Sequence, residues 1–262
     1  MPALGIVAPL ERDSLVYASG FRLIGESVGR MLSPALSVAQ FEQNLVQIRK
    51  ARCKVLLCNV FMPSGMKLTG PEVMEDRVLA HADTVFSRAA RAGISIIVLG
   101  SGGARRIPEG VDSVTAARGF IQLCGKLAGV AKKHGITIAL ESLQSSETNF
   151  LNTLQAAATV VRAVNHPNFR LNADIFHMMR ENESPQQIIA AANLLVYSEI
   201  AEKELRSYPG VKGDDFKPYL RALRKAKYSG PLFIEGSSSN PEKDMPIAFN
   251  YLDKQLREVY AE

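Results

Sequence analysis

The chain is predicted to be an α/β protein, a single (β/α)8 barrel, on three observations. Eight short apolar or β-branched runs alternate with longer amphipathic stretches, the pattern of repeated βα units around a parallel sheet. A length of 262 residues with 47% hydrophobic side chains suits one barrel core, which typically takes about 250 residues. Four of the runs end on an acid: Glu141, Asp174, Glu199 and Glu235. Buried strands that deliver carboxylates at their C-terminal ends are how such a barrel builds a metal or acid/base site. One domain over residues 1–262 is therefore expected, with the four acids sharing its open mouth.

The elements follow in chain order. Leu4 to Ala8 and Arg22 to Glu26 are the first two strands, and Val38 to Arg52 is the first long helical stretch. Lys54 to Val60 is the third strand. The Pro71 to Ala92 stretch opens with a proline, which suits a first turn, and carries Val78, Val85 and Ala89 at helical spacing, so it reads as a packing helix. His81 within it is expected to be solvated rather than catalytic, and the same is expected of His134 and His166, beside a helix end and a proline turn. Ser95 to Leu99 is the fourth strand, Val114 to His134 a helix, and Thr137 to Glu141 the fifth strand. Gly93 and Gly135 stand where a helix C-terminus needs a left-handed residue. Leu151 to Val164 is helical, and Arg170 to Asp174, Leu195 to Glu199 and Leu232 to Glu235 complete the strands.

Composition narrows the function. A formal charge of +5 permits nucleic-acid binding, but the Lys and Arg are scattered along helical faces with few interleaved aromatics, so no nucleic acid is expected. Cys53, Cys58 and Cys124 are odd in number and lack a paired spacing, which argues against disulfides and a thiolate zinc site and for the reducing cytoplasm. The longest apolar runs are strand-sized, so neither a leader nor a membrane span is expected. The Gly100 to Arg106 run, after the fourth strand, can cradle a phosphate with glycine NH groups, Arg105 and Arg106, or can be a tight turn. It matches neither nucleotide-binding glycine pattern, and no nucleotide cofactor is expected. The Ser and Gly residues that follow Glu235 form another polar loop at the rim, able to bond hydroxyls or simply to be solvated.

Side chains alternate along a strand, so Glu141 shares its face with Ala139 and Thr137, Asp174 with Asn172, and Glu235 with Phe233. Four carboxylates with no imidazole suit hard Mg²⁺ or Mn²⁺ better than zinc. Crowded carboxylates also raise one another's pKa until a cation or protons intervene.

The segments Glu141 to Thr153 (Glu-Ser-Leu-Gln-Ser-Ser-Glu-Thr-Asn-Phe-Leu-Asn-Thr) and Asp174 to Met178 (Asp-Ile-Phe-His-Met) resemble the xylose isomerase-like TIM-barrel superfamily, in particular its ketose 3-epimerase branch. Ala201 to Glu204 with Arg206, Pro209 and Gly210 resembles that branch's segment after strand seven, and Gly230 to Glu235 its strand eight. The resemblance implies that Glu141 and Glu235 are metal ligands and the acid/base pair, and that Asp174 is a metal ligand. It implies that His177 and Arg206 hold substrate oxygens, and that Glu147 approaches the carbonyl end of a sugar. A homodimer is the oligomer the resemblance suggests. One position departs: where the epimerases place a metal-binding His, this chain has Glu199. Metal binding is then either retained with altered preference, His177 being a candidate to replace the missing imidazole, or lost if Glu199 turns away or pairs with a base such as Arg206.

Moving a proton on the carbon beside a ketone needs a base on one face, an acid on the other and an electrophile for the developing enediolate. The expected function is a divalent-metal sugar isomerase or epimerase. The alternatives on the same scaffold are a sugar or polyol dehydratase and a non-catalytic carbohydrate-binding relative with a degraded metal site. The superfamily's DNA endonucleases assemble several zinc ions on numerous histidines, and four His in all argue against that branch.

Overall fold

The computed structural model describes residues 1–262. Eight parallel strands close into a barrel in sequence order. They are β1 (Leu4–Val7), β2 (Leu23–Ser27), β3 (Lys54–Asn59), β4 (Ile96–Leu99), β5 (Thr137–Glu141), β6 (Phe169–Asp174), β7 (Leu195–Ile200) and β8 (Leu232–Ile234). β8 closes the ring by pairing with β1, Gly5 opposite Phe233. Every strand boundary falls within one residue of the run read from sequence.

Two apolar layers hold this ring. The larger, 66 buried residues, fills the space between the strands and the helices around them. The smaller lies inside the barrel and consists of Leu57, Ile96, Val98, Ala139, Tyr197 and Phe233. Large side chains fit there because their neighbours are small. A Cβ at Gly5 would collide with the Phe233 ring, and one at Gly25 with Leu57. The rings of Tyr197 and Phe233 meet edge to face, centroids 5.4 Å apart. Ala139, Tyr197 and Phe233 stand two residues before Glu141, Glu199 and Glu235, so strand alternation carries those acids to the inside of the mouth.

The long helices follow their local signals. Val38–Lys50 starts in a capping box between Ser37 and Gln40. Gly93 (φ 72°) and Gly135 (φ 68°) take the left-handed conformation expected after their helices. Two helix starts come later than the sequence suggests. The helix expected from Pro71 runs over Glu75–Ala92. Residues before it are drawn into a turn instead: Thr69 Oγ1 donates to the Arg105 and Arg106 carbonyls, and the Leu68 NH to that of Ala104. The helix expected from Leu151 is Leu154–Val164, capped by Thr153, whose side chain accepts from the Ala156 NH. His81 is half-buried rather than solvated, its Nε2 3.1 Å from the Phe61 carbonyl. His134 and His166 are likewise partly buried rather than solvated: His134 pairs with Asp83, and His166 accepts from the Asn168 NH. No helix is long and apolar enough to cross a membrane.

Candidate active site

Glu141 ends β5, Asp174 ends β6, Glu199 is the penultimate residue of β7, and Glu235 follows β8 directly. Parallel register sets Asp174 beside Glu199 and Glu141 beside Asn172. One oxygen from each of the four acids lies within 4.8 Å of the others. The cluster is deep: Glu141, Asp174 and Glu199 are buried, and Glu235 is partly open to a cleft of about 230 Å³. Asn59, Val60, Gly100, Leu143, Glu147 and Arg206 also line that cleft.

Each acid is fixed differently. Asp174 caps the short helix after β6: its Oδ1 accepts from the Phe176 NH at 2.8 Å, leaving Oδ2 for the cluster. Glu199 is gripped inside the barrel, Oε1 by the Tyr197 hydroxyl at 2.9 Å and Oε2 by Asn172 Nδ2. Glu235 accepts from Asn59 Nδ2 through Oε1 and from Arg206 through Oε2. Glu141 lies over Gly100, where an added Cβ would overlap its carboxylate, and its Oε1 has no hydrogen-bond partner. The Gly100–Arg106 run therefore serves Glu141 by leaving it room.

His177 is fully buried and accepts from the Gln144 NH at Nδ1, 3.1 Å away. A neutral ring in that state carries its hydrogen on Nε2, which faces Glu141 Oε1 and Asp174 Oδ2 at 3.5 Å each. Burial lowers the His177 pKa and so keeps the ring neutral. In this tautomer the ring presents a donor to the acids, not a lone pair that would replace a missing imidazole ligand.

Burial, then the charges of Glu199, Glu235 and Asp174, push Glu141 well above the usual carboxylate range. Burial followed by Glu235 and Asp174 does the same to Glu199. Glu235 is raised by burial and by Asp174, with Arg206 pulling it down. For Arg206 burial works against the charge, but the acids around it outweigh burial and raise its pKa. With all four acids ionised, Arg206 and the fully buried Arg105 leave an excess of two negative charges, the charge of one divalent cation. Burial lowers Arg105 to about 10, so it stays charged at neutral pH.

Arg105 does not face the rim. It lies beneath the site and donates to the Glu141 carbonyl at 2.5 Å, which removes it from any phosphate cradle, while the exposed Arg106 donates to the Glu147 carbonyl. Glu147 stands exposed on the loop after β5, bonded to Gln144 Nε2 at 2.7 Å, and reaches the cleft. The polar loop after Glu235 braces its neighbour: the Ser237 NH donates to the Arg206 carbonyl, and Ser238 Oγ to Asp244. Two residues that shape the cluster escaped the sequence reading, Asn59 and Tyr197. Tyr197 was findable, because it precedes Glu199 by two and must share its face. Asn59, at the end of β3, carries the same end-of-strand signal as the acids without a charge to draw attention.

A family model described as xylose isomerase-like TIM barrel matches residues 18–255. The chain belongs to that family. Within the xylose isomerase-like TIM barrels, it is 36% identical over 115 residues to an L-ribulose 3-epimerase from Methylomonas sp. (strain DH-1), an alignment covering 44% of this chain and 40% of that enzyme. The aligned part is thus less than half of either protein. Among solved structures, an L-ribulose 3-epimerase superposes with a TM-score of 0.84 at 20% identity, over 100% of this chain and 96% of that one. A D-allulose 3-epimerase from Methylomonas sp., solved in complex with D-allulose, gives 0.80 at 20% identity over 97% of both chains. These superpositions bear on the fold. As a xylose isomerase-like barrel, the protein places its acid cluster at the C-terminal ends of the strands, the face where such barrels work.

Proposed function

We propose that this protein is a divalent-metal-dependent ketose epimerase, with residues 1–262 acting as one catalytic domain. The observation that carries the reading is the convergence of Glu141, Asp174, Glu199 and Glu235 on one cation-sized space at the barrel mouth. The partnerless Glu141 Oε1 and the guanidinium seated between Asp174 and Glu235 indicate that this space attracts positive charge. Glu199 does not turn away from it, which supports retention of a metal site despite the departure from the family's His.

In this reading the four acids hold the ion, and an all-oxygen set favours Mn²⁺ or Mg²⁺. When bound, the ion supplies an electrophile for the oxygens of an enediolate. Glu141 and Glu235 lie on strands well apart around the ring and flank the substrate carbon. One removes the proton beside the carbonyl and the other returns a proton from the opposite face, inverting the centre. Epimerisation runs both ways, so the glutamate that is base for one epimer is acid for the other. His177 Nε2–H and Arg206 donate to substrate oxygens, and Glu147 meets the carbonyl end from the rim loop. The names of the relatives support a free ketose as substrate, and the three free, buried cysteines suit a reducing cytoplasm. A homodimer remains the proposed oligomer.

The test is solvent deuterium incorporation at C3 of D-fructose, D-allulose and L-ribulose by protein loaded with Mn²⁺. Exchange with appearance of the epimer is expected, and neither should occur in Glu141→Gln or Glu235→Gln. Absence of exchange in every ketose with the metal bound would overturn the reading.

A further inference from the structure

Arg206 occupies the oxygens that a cation needs. Asp174 Oδ1 is committed to capping the helix that follows β6, so Oδ2 is its remaining oxygen, and Arg206 Nη2 lies 3.1 Å from it. Glu235 Oε1 is committed to Asn59, so Oε2 is what remains there, and the same Nη2 takes it. A third bond, from Nε to the Glu235 carbonyl at 3.0 Å, sets the plane of the guanidinium.

The backbone is bent to make this possible. Leu205 (φ 59°) and Arg206 (φ 51°) are consecutive left-handed residues without being glycine, a conformation that costs strain unless its surroundings enforce it. The surroundings do. The Ser237 NH donates to the Arg206 carbonyl at 2.8 Å, the Glu202 NH donates to the Ser207 carbonyl at 2.9 Å, and a bridge joins Ser207 to Ser237. The guanidinium borders solvent: the side chain lines the open cleft with 28% of its surface exposed, while its carbon stacks 4.7 Å from the centre of the Phe176 ring.

We propose that Arg206 is a built-in competitor for the divalent cation, holding the free oxygens of Asp174 and Glu235 until the ion displaces it into the cleft. It thereby lowers cation affinity and, once displaced, stands where substrate binds. The inference rests on the metal site proposed above. It predicts an effect opposite to that of a residue that merely supports the site, whose removal would weaken the metal.

The experiment uses the full-length protein stripped of metal and titrated with Mn²⁺ alone, free Mn²⁺ being followed by electron paramagnetic resonance. Arg206→Gln is expected to bind Mn²⁺ at least tenfold tighter than wild type, and its metal-free form to melt at a lower temperature. Arg206→Lys keeps the charge but loses the Nε bond, and is expected to bind about threefold tighter. The exposed Arg106→Gln should leave the affinity unchanged. Mn²⁺ affinity that is unchanged or weaker in Arg206→Gln overturns the proposal. If that variant does not fold, unchanged affinity in Arg206→Lys does so. One Mn²⁺ bound by wild type in either of those cases leaves the metal site itself standing, whereas no Mn²⁺ bound by any variant removes both.

Discussion

Two sets of buried carboxylates lie at the ends of strands in this barrel, and they are built on opposite principles. Glu26 and Glu202 are as buried as the site acids. Glu26 accepts from the Leu10 NH at 2.7 Å and the Ser27 NH at 2.9 Å, with Arg30 Nε 3.3 Å away. Glu202 gathers the NH groups of Gly210, Lys212 and Gly213 together with Ser207 Oγ, and so pins the long loop after β7. Both oxygens of each are matched by donors. In the mouth cluster, Glu141 keeps an oxygen with no partner, and its nearest charges are other acids. Burial of a carboxylate is therefore not the mark of a site. The mark is a carboxylate left without donors, since an unmatched buried charge costs more than folding can spare unless a cation or a proton offsets it.

The largest expected difference between the two sets is chemical. Glu141→Gln or Glu235→Gln should lower the rate of proton transfer about 10²- to 10⁴-fold, the usual range for a general acid or base, with the fold retained by circular dichroism. A comparable loss of rate in Glu26→Gln would break the distinction. Next comes Gly100→Ala, whose Cβ must displace the Glu141 carboxylate. A shift of about 1 Å in a reacting group costs about 10²-fold, so kcat should fall by that order while the melting temperature stays nearly the same.

Stability should change in opposite directions. Glu202→Gln loses charge-assisted bonds to three backbone NH groups, and urea denaturation should register a loss of about 2–3 kcal/mol. Glu199→Gln keeps the shape but removes one of the crowded charges, so the metal-stripped protein should gain on the order of 1 kcal/mol. The same substitution should reduce the stabilisation that Mn²⁺ provides. Two losses of equal size would erase the comparison.

The smallest effect is spread over pH. Glu141 and Glu199 have native pKa values raised well above 4.5 by burial and by the neighbouring acids. Between 4.5 and those values the native state binds more protons than the unfolded chain, so stability falls as pH rises. Thermal unfolding of metal-stripped protein from pH 5 to 8 should show that decline, and saturating Mn²⁺ should flatten it. A stability that rises across this window would mean the acids are matched after all.

Much of the fold was legible because strand burial and helix amphipathicity are written in local periodicity. All eight strands lie within a residue of their apolar runs, and the parity that puts Phe233 inside the barrel puts Glu235 there as well. The late start of Glu75–Ala92 was not legible, because the bonds that hold Thr69 come from carbonyls more than thirty residues away. Likewise Arg105, read as a rim cation, is turned under the site by a carbonyl of β5.

By itself the sequence determined the barrel and the four acids at its strand ends, since each depends only on residue type and alternation along a strand. The tertiary structure alone decided which oxygens are spoken for. Asn59 and Arg206 reach Glu235 across the mouth, Gln144 sets the tautomer of His177, and Glu141 is left bare. The reason is that donors and acceptors meet through space, at distances of about 3 Å, between segments whose separation along the chain carries no trace of their meeting.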